Sequence, residues 1–184
     1  MIAERLAIPD VLLLTPPRFT DPRGFFSETW HAARFSDAGI PGPFVQDNHA
    51  RSADRGVVRG LHLQIGANAQ GKLVRVVRGS IWDVAVDIRP GSPTRRRHVG
   101  AVLSAENWQQ LWIPAGLLHG YCTLEPDTEV IYKVTAPWDR QAERGVIWND
   151  PDLALPWPVS TQEAILSEKD RLLPRLADCD WLGT

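Results

Sequence analysis

Short apolar runs in which every second residue is hydrophobic, each cut off by turn residues, fill the middle of this 184-residue chain and constrain its fold more than any other feature. Period two is the repeat of a strand with one face buried, whereas an amphipathic helix needs spacings of three and four. In the run Ile81 to Ile88, Trp82, Val84, Val86 and Ile88 share one face while Asp83, Ala85 and Asp87 share the other. Arg89-Pro90-Gly91-Ser92-Pro93 then ends it. Leu73 to Val77 precedes it, and Arg78-Gly79-Ser80 between the two reads as a hairpin connection. Gln110 to Ile113, Gly120 to Leu124 and Glu129 to Thr135 repeat the pattern, with Pro114-Ala115-Gly116 and Glu125-Pro126-Asp127 as turns. Strands this short and this regularly spaced predict an all-β sandwich or barrel of antiparallel strands.

Helical signals are few and peripheral: Thr29 to Ala38, stopped by Gly39, and Thr161 to Glu168 are the two short candidates. The proline-bearing segments Leu12 to Glu28 and the tail after Asp150 are expected to wrap the barrel or extend a sheet of a neighbouring subunit. No Gly/Ser-rich or charge-block stretch divides the chain, so one domain over 1–184 is expected. A net charge of −2, spread along the length, gives no general attraction to nucleic acid, so any anion must be held by particular residues. Cys122 and Cys179 are the only cysteines, far apart and outside any CxxC or Cys/His pattern, which fits a reducing cytoplasm and no structural zinc. Cys122 reads as a buried apolar thiol. Met1 to Leu14, interrupted by Glu4, Pro9 and Asp10, is too short and broken for a signal peptide or a membrane span.

The chemistry concentrates in Arg59-Gly60-Leu61-His62 and, some seventy residues on, Glu129-Val130-Ile131-Tyr132-Lys133. Alternation places His62 with Gly60 and Gln64 on one strand face, opposite Leu61 and Leu63. A neutral imidazole there is available as a base at neutral pH, and it would want an orienting carboxylate. The other reading is a hydrogen-bonded histidine at a sheet edge. Tyr132 falls with Val130 and Val134, so it is either a core tyrosine or a phenol that delivers a proton into the same cavity. Lys72 opens a strand, where an ammonium is either a solvated terminus or a fixed charge for a developing oxyanion. Arg23, Arg59 and Lys169 are candidates for an anionic substrate, because a guanidinium fork suits phosphate. Trp138, Trp148 and Trp157, among eight tryptophans, could stack on a ligand ring. Metal-binding barrels of the cupin type are similar in strand rhythm, but they carry an H-x-H pair. Here His62 is followed by Leu63 and Gln64, and His119 with His62 makes a poor ligand set. No GxGxxG, GxxxxGK or GxSxG sequence occurs.

A further set of motifs runs through nearly the whole chain: Phe19-Thr20-Asp21-Pro22-Arg23-Gly24-Phe25-Phe26-Ser27-Glu28, Val45-Gln46-Asp47-Asn48-His49, Arg59-Gly60-Leu61-His62, Ala69-Gln70-Gly71-Lys72-Leu73-Val74-Arg75, His119-Gly120, Tyr132-Lys133 and Leu166-Ser167-Glu168-Lys169-Asp170. In that order they closely resemble the dTDP-4-dehydrorhamnose 3,5-epimerase family. The resemblance implies a jelly-roll (cupin-like) barrel with short peripheral helices, assembled as a homodimer. It also implies no metal or other cofactor and a dTDP-4-keto-6-deoxyhexose substrate. It implies His62 as base paired with Asp170, Tyr132 as acid and Lys72 at the keto oxygen. Substrate contacts would fall on Arg23, Glu28, Gln46, Asp47, Asn48, Arg59, Lys72, His119, Glu143 and Lys169, with Arg23 and Glu28 reaching a partner's site. A relative acting at C3 or C5 alone, or a ketoisomerase on a related nucleotide deoxysugar, is the alternative.

Overall fold

A computed structural model of the chain describes residues 1–182. In chain order it contains β1 (Ile2–Arg5), β2 (Leu12–Thr15), β3 (Phe19–Asp21), β4 (Gly24–Phe26), α1 (Ala32–Asp37), β5 (Gln46–Ser52), β6 (Val58–Gln64), β7 (Lys72–Arg78), β8 (Ser80–Asp87), β9 (His98–Ser104), β10 (Gln110–Ile113), β11 (Leu117–Thr123), β12 (Thr128–Val134), β13 (Glu143–Gly145) and α2 (Glu168–Arg171). One sheet runs β1-β2-β10-β7-β12-β5, the second β13-β6-β11-β8-β9, and β3-β4 forms a separate hairpin. All of these strand pairings are antiparallel. The result is an all-β sandwich of antiparallel strands, as the alternation predicts, and it is the jelly roll that the family resemblance implies.

Each sheet contributes its inward residues to a shared core. Val74, Val76, Leu111, Ile113 and Val130 from the six-stranded sheet meet Ile81, Ala85, Val99, Leu103, Leu117 and Tyr121 from the five-stranded one. The five-stranded sheet is buried on its outer face too, because Leu61, Leu63, Val84, Val86, Ile88 and Leu118 pack under Val146, Leu153 and Leu176 of the tail. Burial of both faces explains why β8 alternates as the sequence predicts yet keeps seven of its eight residues buried. On the outer face of the other sheet, α1 seals Leu12, Leu14, Leu73 and Trp112 with Phe35. Trp148 and Trp157 pack on one another at 5.6 Å, Trp148 in a buried cluster with Val58 and Cys122 and Trp157 against it.

Three sequence expectations change. Arg78-Gly79-Ser80 is not a hairpin: β7 and β8 lie in different sheets, and Gly79, at φ 73°, turns the chain across the sandwich in a place where a Cβ would collide with Thr128. Thr161 to Glu168 is not a helix. Ser160 caps a turn through the Glu163 carboxylate, and the chain then runs extended so that Ile165 bridges Val57 at the sheet edge. The helix starts later, at Glu168, capped by the Ser167 hydroxyl. The first helix is shorter than expected, six residues from Ala32 to Asp37. Cys122 is buried, its thiol pushed up to about 11 by burial, and both cysteines are free. Among the described residues no helix is long and apolar enough to cross a membrane.

The end of β8 is fixed by Asp87, which is fully buried and accepts hydrogen bonds from Arg89, Ser92 and Thr94 at 2.6 to 3.0 Å. Burial raises the carboxyl, but the Arg89 guanidinium and the two hydroxyls outweigh it and hold it well below the usual carboxylate range. Its stabilising contribution is therefore complete above the unfolded value of about 4 and fades as pH falls below it toward the folded value. Asp87→Ala should lose about 3 kcal/mol at neutral pH, because the Ser92 and Thr94 hydroxyls and the Arg89 side chain lose their shared buried acceptor, leaving Arg89 paired with Asp10 alone. The gap from wild type should narrow below about pH 4. Equal melting temperatures at pH 7 would refute this account of the turn.

Candidate active site

The polar residues of both sheets converge at one end of the sandwich, where the apolar core stops. β6 and β11 approach so closely there that a Cβ on Gly60, at φ 127°, would stand 2.6 Å from the Gly120 Cα. At this point the register slips: His119 pairs with His62 but Tyr121 pairs with Arg59. Strict alternation would send Arg59 and His62, three apart, to opposite faces. The bulge turns both into the same cavity.

That cavity has a volume of about 460 Å³ and is lined by Arg59, His62, Lys72, His119, Tyr121, Tyr132, Ser167, Lys169 and Asp170. A second lobe of about 260 Å³ is lined by Gln46, Asn48, Gln64, Gln70, Trp138 and Glu143. His62, Lys72 and Tyr132 line both lobes and so stand where they meet. His62 comes from β6 of one sheet, while Lys72 and Tyr132 come from β7 and β12 of the other. Imidazole and phenol thus belong to opposing walls.

His62 Nε2 lies 2.7 Å from Asp170 Oδ1. Burial raises the Asp170 carboxyl, but the His62 hydrogen bond and charge, the Gly60 N–H at 3.5 Å and the Ser167 hydroxyl together hold it below the usual range. An ionised carboxylate accepts only, so Nε2 carries the proton and Nδ1 is left as the basic nitrogen. Lys72 keeps some exposure as a residue, but its ammonium lies deep. Burial lowers it to about 8 against the attraction of Asp83 and Glu143. His119 donates toward Asp83 at 3.0 Å, and burial lowers it despite that carboxylate, which favours the neutral ring. Burial also raises Tyr132, only partly offset by Arg59, so its hydroxyl stays protonated at neutral pH.

Most of the anticipated substrate contacts come together. Gln46 and Asn48 bond one another at 2.8 Å on β5, and Lys169 Nζ donates to Glu143 at 2.6 Å across the mouth. Trp138, 56% exposed, offers its ring to the second lobe. Three residues stand apart from the cavity. Asp47 alternates away from Gln46 and Asn48 and pairs with Lys133 at 2.9 Å. Arg23 pairs with Asp21 at the tip of the β3-β4 hairpin, and Glu28 pairs with Arg34. Sequence reasoning overlooked Asp83, Tyr121 and Ser167. Asp83 had a signal, a carboxylate in the middle of an apolar strand's inward face, between Ile81 and Ala85. Among the described residues, no group of three or more His, Cys, Asp or Glu side chains is placed to hold a metal ion.

A half-buried base aligned by a carboxylate, a phenol on the opposing wall and an ammonium at the same junction suit proton abstraction next to a carbonyl, with reprotonation from the far side. Comparison with known proteins points the same way. The family model described as dTDP-4-dehydrorhamnose 3,5-epimerase matches residues 5–178. The dTDP-4-dehydrorhamnose 3,5-epimerase of Pseudomonas aeruginosa is 54% identical over 182 residues, covering 98% of each chain. A Bacillus anthracis dTDP-4-dehydrorhamnose 3,5-epimerase solved with TDP and PPi bound superposes with a TM-score of 0.92 at 46% identity, covering 95% of this chain and 99% of that one. A Legionella pneumophila dTDP-6-deoxy-D-glucose-3,5-epimerase in complex with dTDP-4-keto-L-rhamnose gives a TM-score of 0.92 at 41% identity, covering 97% and 94%.

The depth of the Lys72 ammonium is open to direct measurement. An NMR titration of isotope-labelled lysine should show one side chain with a midpoint near 8, absent in Lys72→Arg. A Lys72 midpoint at the ordinary 10.5 would mean that the ammonium is solvated instead of buried.

Proposed function

The chain belongs to the dTDP-4-dehydrorhamnose 3,5-epimerase family, and from that premise we propose how its own residues divide the work. The enzyme is a nucleotide-sugar isomerase that converts dTDP-4-dehydro-6-deoxy-D-glucose to dTDP-4-dehydro-L-rhamnose by epimerisation at C3 and C5. The 4-keto group acidifies the hydrogens on both carbons, so one site can treat them in turn. His62 Nδ1 takes the proton, breaking the C–H bond, and the electron pair moves onto the keto oxygen as an enolate. The Lys72 ammonium faces that oxygen, where a preorganised charge matters most as negative charge develops. Tyr132 then returns a proton to the opposite face, and the carbonyl re-forms. Asp170 holds the imidazole tautomer and stabilises its charged form. Carbon ends at the oxidation level at which it started, so the scheme itself calls for no electron carrier.

What supports this reading above all is that His62 and Tyr132 line the junction of one cavity from opposing sheets with Lys72 beside them. Arg59 and Lys169, exposed at the mouth, suit the diphosphate, while Gln46, Asn48, His119 and Glu143 supply polar contacts to the rest of the ligand. Arg23 and Glu28 enter through a homodimer. The β3-β4 hairpin exposes Phe19, Phe25 and Phe26, at 63%, 55% and 71%, on a strand pair attached to neither sheet, a surface that a second copy's cavity mouth would cover. Residues 1–184 act as one jelly-roll domain, and two free thiols suit a cytoplasmic setting.

Solvent deuterium tests the chemistry. Turnover of dTDP-4-dehydro-6-deoxy-D-glucose in heavy water should place label at both C3 and C5, and label at one position alone would mark a single-position epimerase. Tyr132→Phe should cut epimerisation by about 10²- to 10⁴-fold while deuterium still washes in, because His62 continues to remove and return protons on its own face. His62→Ala should abolish exchange altogether. Exchange at the wild-type rate in His62→Ala would remove this residue from the mechanism.

A further inference from the structure

The Trp138 ring is 56% exposed where it borders the second lobe, so its place depends on the backbone that carries it more than on packing. Between Val134, the last residue of β12, and Glu143, the first of β13, that backbone belongs to no strand or helix. Side chains hold it instead. Gln70 Nε2 donates to the Ala136 carbonyl at 2.6 Å, and the Trp138 N–H donates to Gln46 Oε1 at 3.0 Å. Gln64, only 3% exposed, grips the residues on both sides of the tryptophan. Its Nε2 donates to the Pro137 carbonyl at 3.0 Å, and its Oε1 accepts the Asp139 N–H at 2.7 Å. A second donation from Nε2, to the Asn68 carbonyl at 2.7 Å, ties the loop to the turn that follows β6. Asn68 Nδ2 adds a bond of 2.6 Å to the Asp139 carboxylate.

A side-chain amide has two N–H donors and one carbonyl oxygen. Here both donors meet carbonyls and the oxygen meets an N–H, so the amide has one workable orientation and no donor left for a ligand. Gln64 also shares with His62 one face of β6, two residues further along the strand. His62 stands where the two lobes meet, while Gln64 braces the far wall of the second. One strand therefore sets both the base and the aromatic wall. Resting on the epimerase reading, we propose that Gln64 is a positioning residue: it fixes the Trp138 loop so that the indole receives a ring face of the sugar nucleotide while the reacting carbon lies against His62.

Fluorine NMR of protein carrying 5-fluorotryptophan reads the loop directly, with the Trp138 resonance assigned by its loss in Trp138→Phe. In ligand-free Gln64→Met that resonance should move toward the position of a solvated indole while the other tryptophans keep theirs. Asn68→Ala, at a residue that lines neither lobe, should move it the same way. Gln64→Met should also raise KM for the 4-keto sugar nucleotide about 3- to 10-fold and change kcat less. In a Trp138→Ala background the same substitution should raise KM no further, because a residue that acts through Trp138 has nothing left to position. A Trp138 resonance unmoved in both variants would overturn the proposal. So would additive effects on KM, which would mean that Gln64 meets the ligand itself, or a shift of all the tryptophan resonances, which would make it a residue of the general fold. A wild-type protein that fails to epimerise the sugar would instead overturn the underlying reading of function, and the role in substrate binding with it.

Discussion

The hydrogen bond between His62 and Asp170 joins residues 108 apart in sequence and turns a sheet-lined hollow into a site with a defined base. Everything around it serves to make that contact possible. Asp170 is 4% exposed, and a carboxylate so buried is tolerable only with its lone pairs occupied. Gly60 N–H supplies one donor and the imidazole another, while Ser167 caps the short helix that presents the residue. The tail reaches this point because its apolar residues have a surface to lie on: the outer face of the five-stranded sheet, where Leu61 and Leu63 flank His62 and point the other way. One strand thus anchors the tail with alternate residues and receives its carboxylate with those in between.

The same economy governs the other buried charges. Asp83 is fully buried and serves His119 by a direct hydrogen bond and the Lys72 ammonium through space, so one carboxylate acts on two groups of the cavity wall. Low dielectric strengthens such attractions and makes their absence expensive, which ties the positions of Lys72, His119 and Asp83 to one another. It also leaves the ammonium with a proton it can lose within reach of neutral pH, at about 8, and the facing phenol with one it retains.

Much of this was legible in the sequence. Alternation identified β8 and both of its faces, put His62 opposite Leu61 and Leu63, and grouped Tyr132 with Val130 and Val134, all as the strands have them. What alternation could not carry was any step that breaks its own period. Arg59 joins His62 in the cavity only because β6 bulges at Gly60, a local slip that no count of apolar residues reveals. Gly79 likewise passes for a hairpin glycine, since a turn within one sheet and a crossing between two sheets use similar residues. The tail misled for another reason. Thr161 to Glu168 has helix-forming side chains, but Ile165 gains more from pairing with Val57 beside the sheet than a short isolated helix could give it. Asp47 alternates away from Gln46 and Asn48, which line the cavity, and pairs with Lys133, a placement that follows from its position on the strand and that motif order does not carry.

The late position of Asp170 also shapes how the enzyme comes into being. All thirteen strands precede it, so during synthesis both sheets can close, and the hollow between them form, while His62 still lacks its carboxylate. A chain shortened ahead of that last stretch would carry every strand of both sheets and still lack the carboxylate that orients its base.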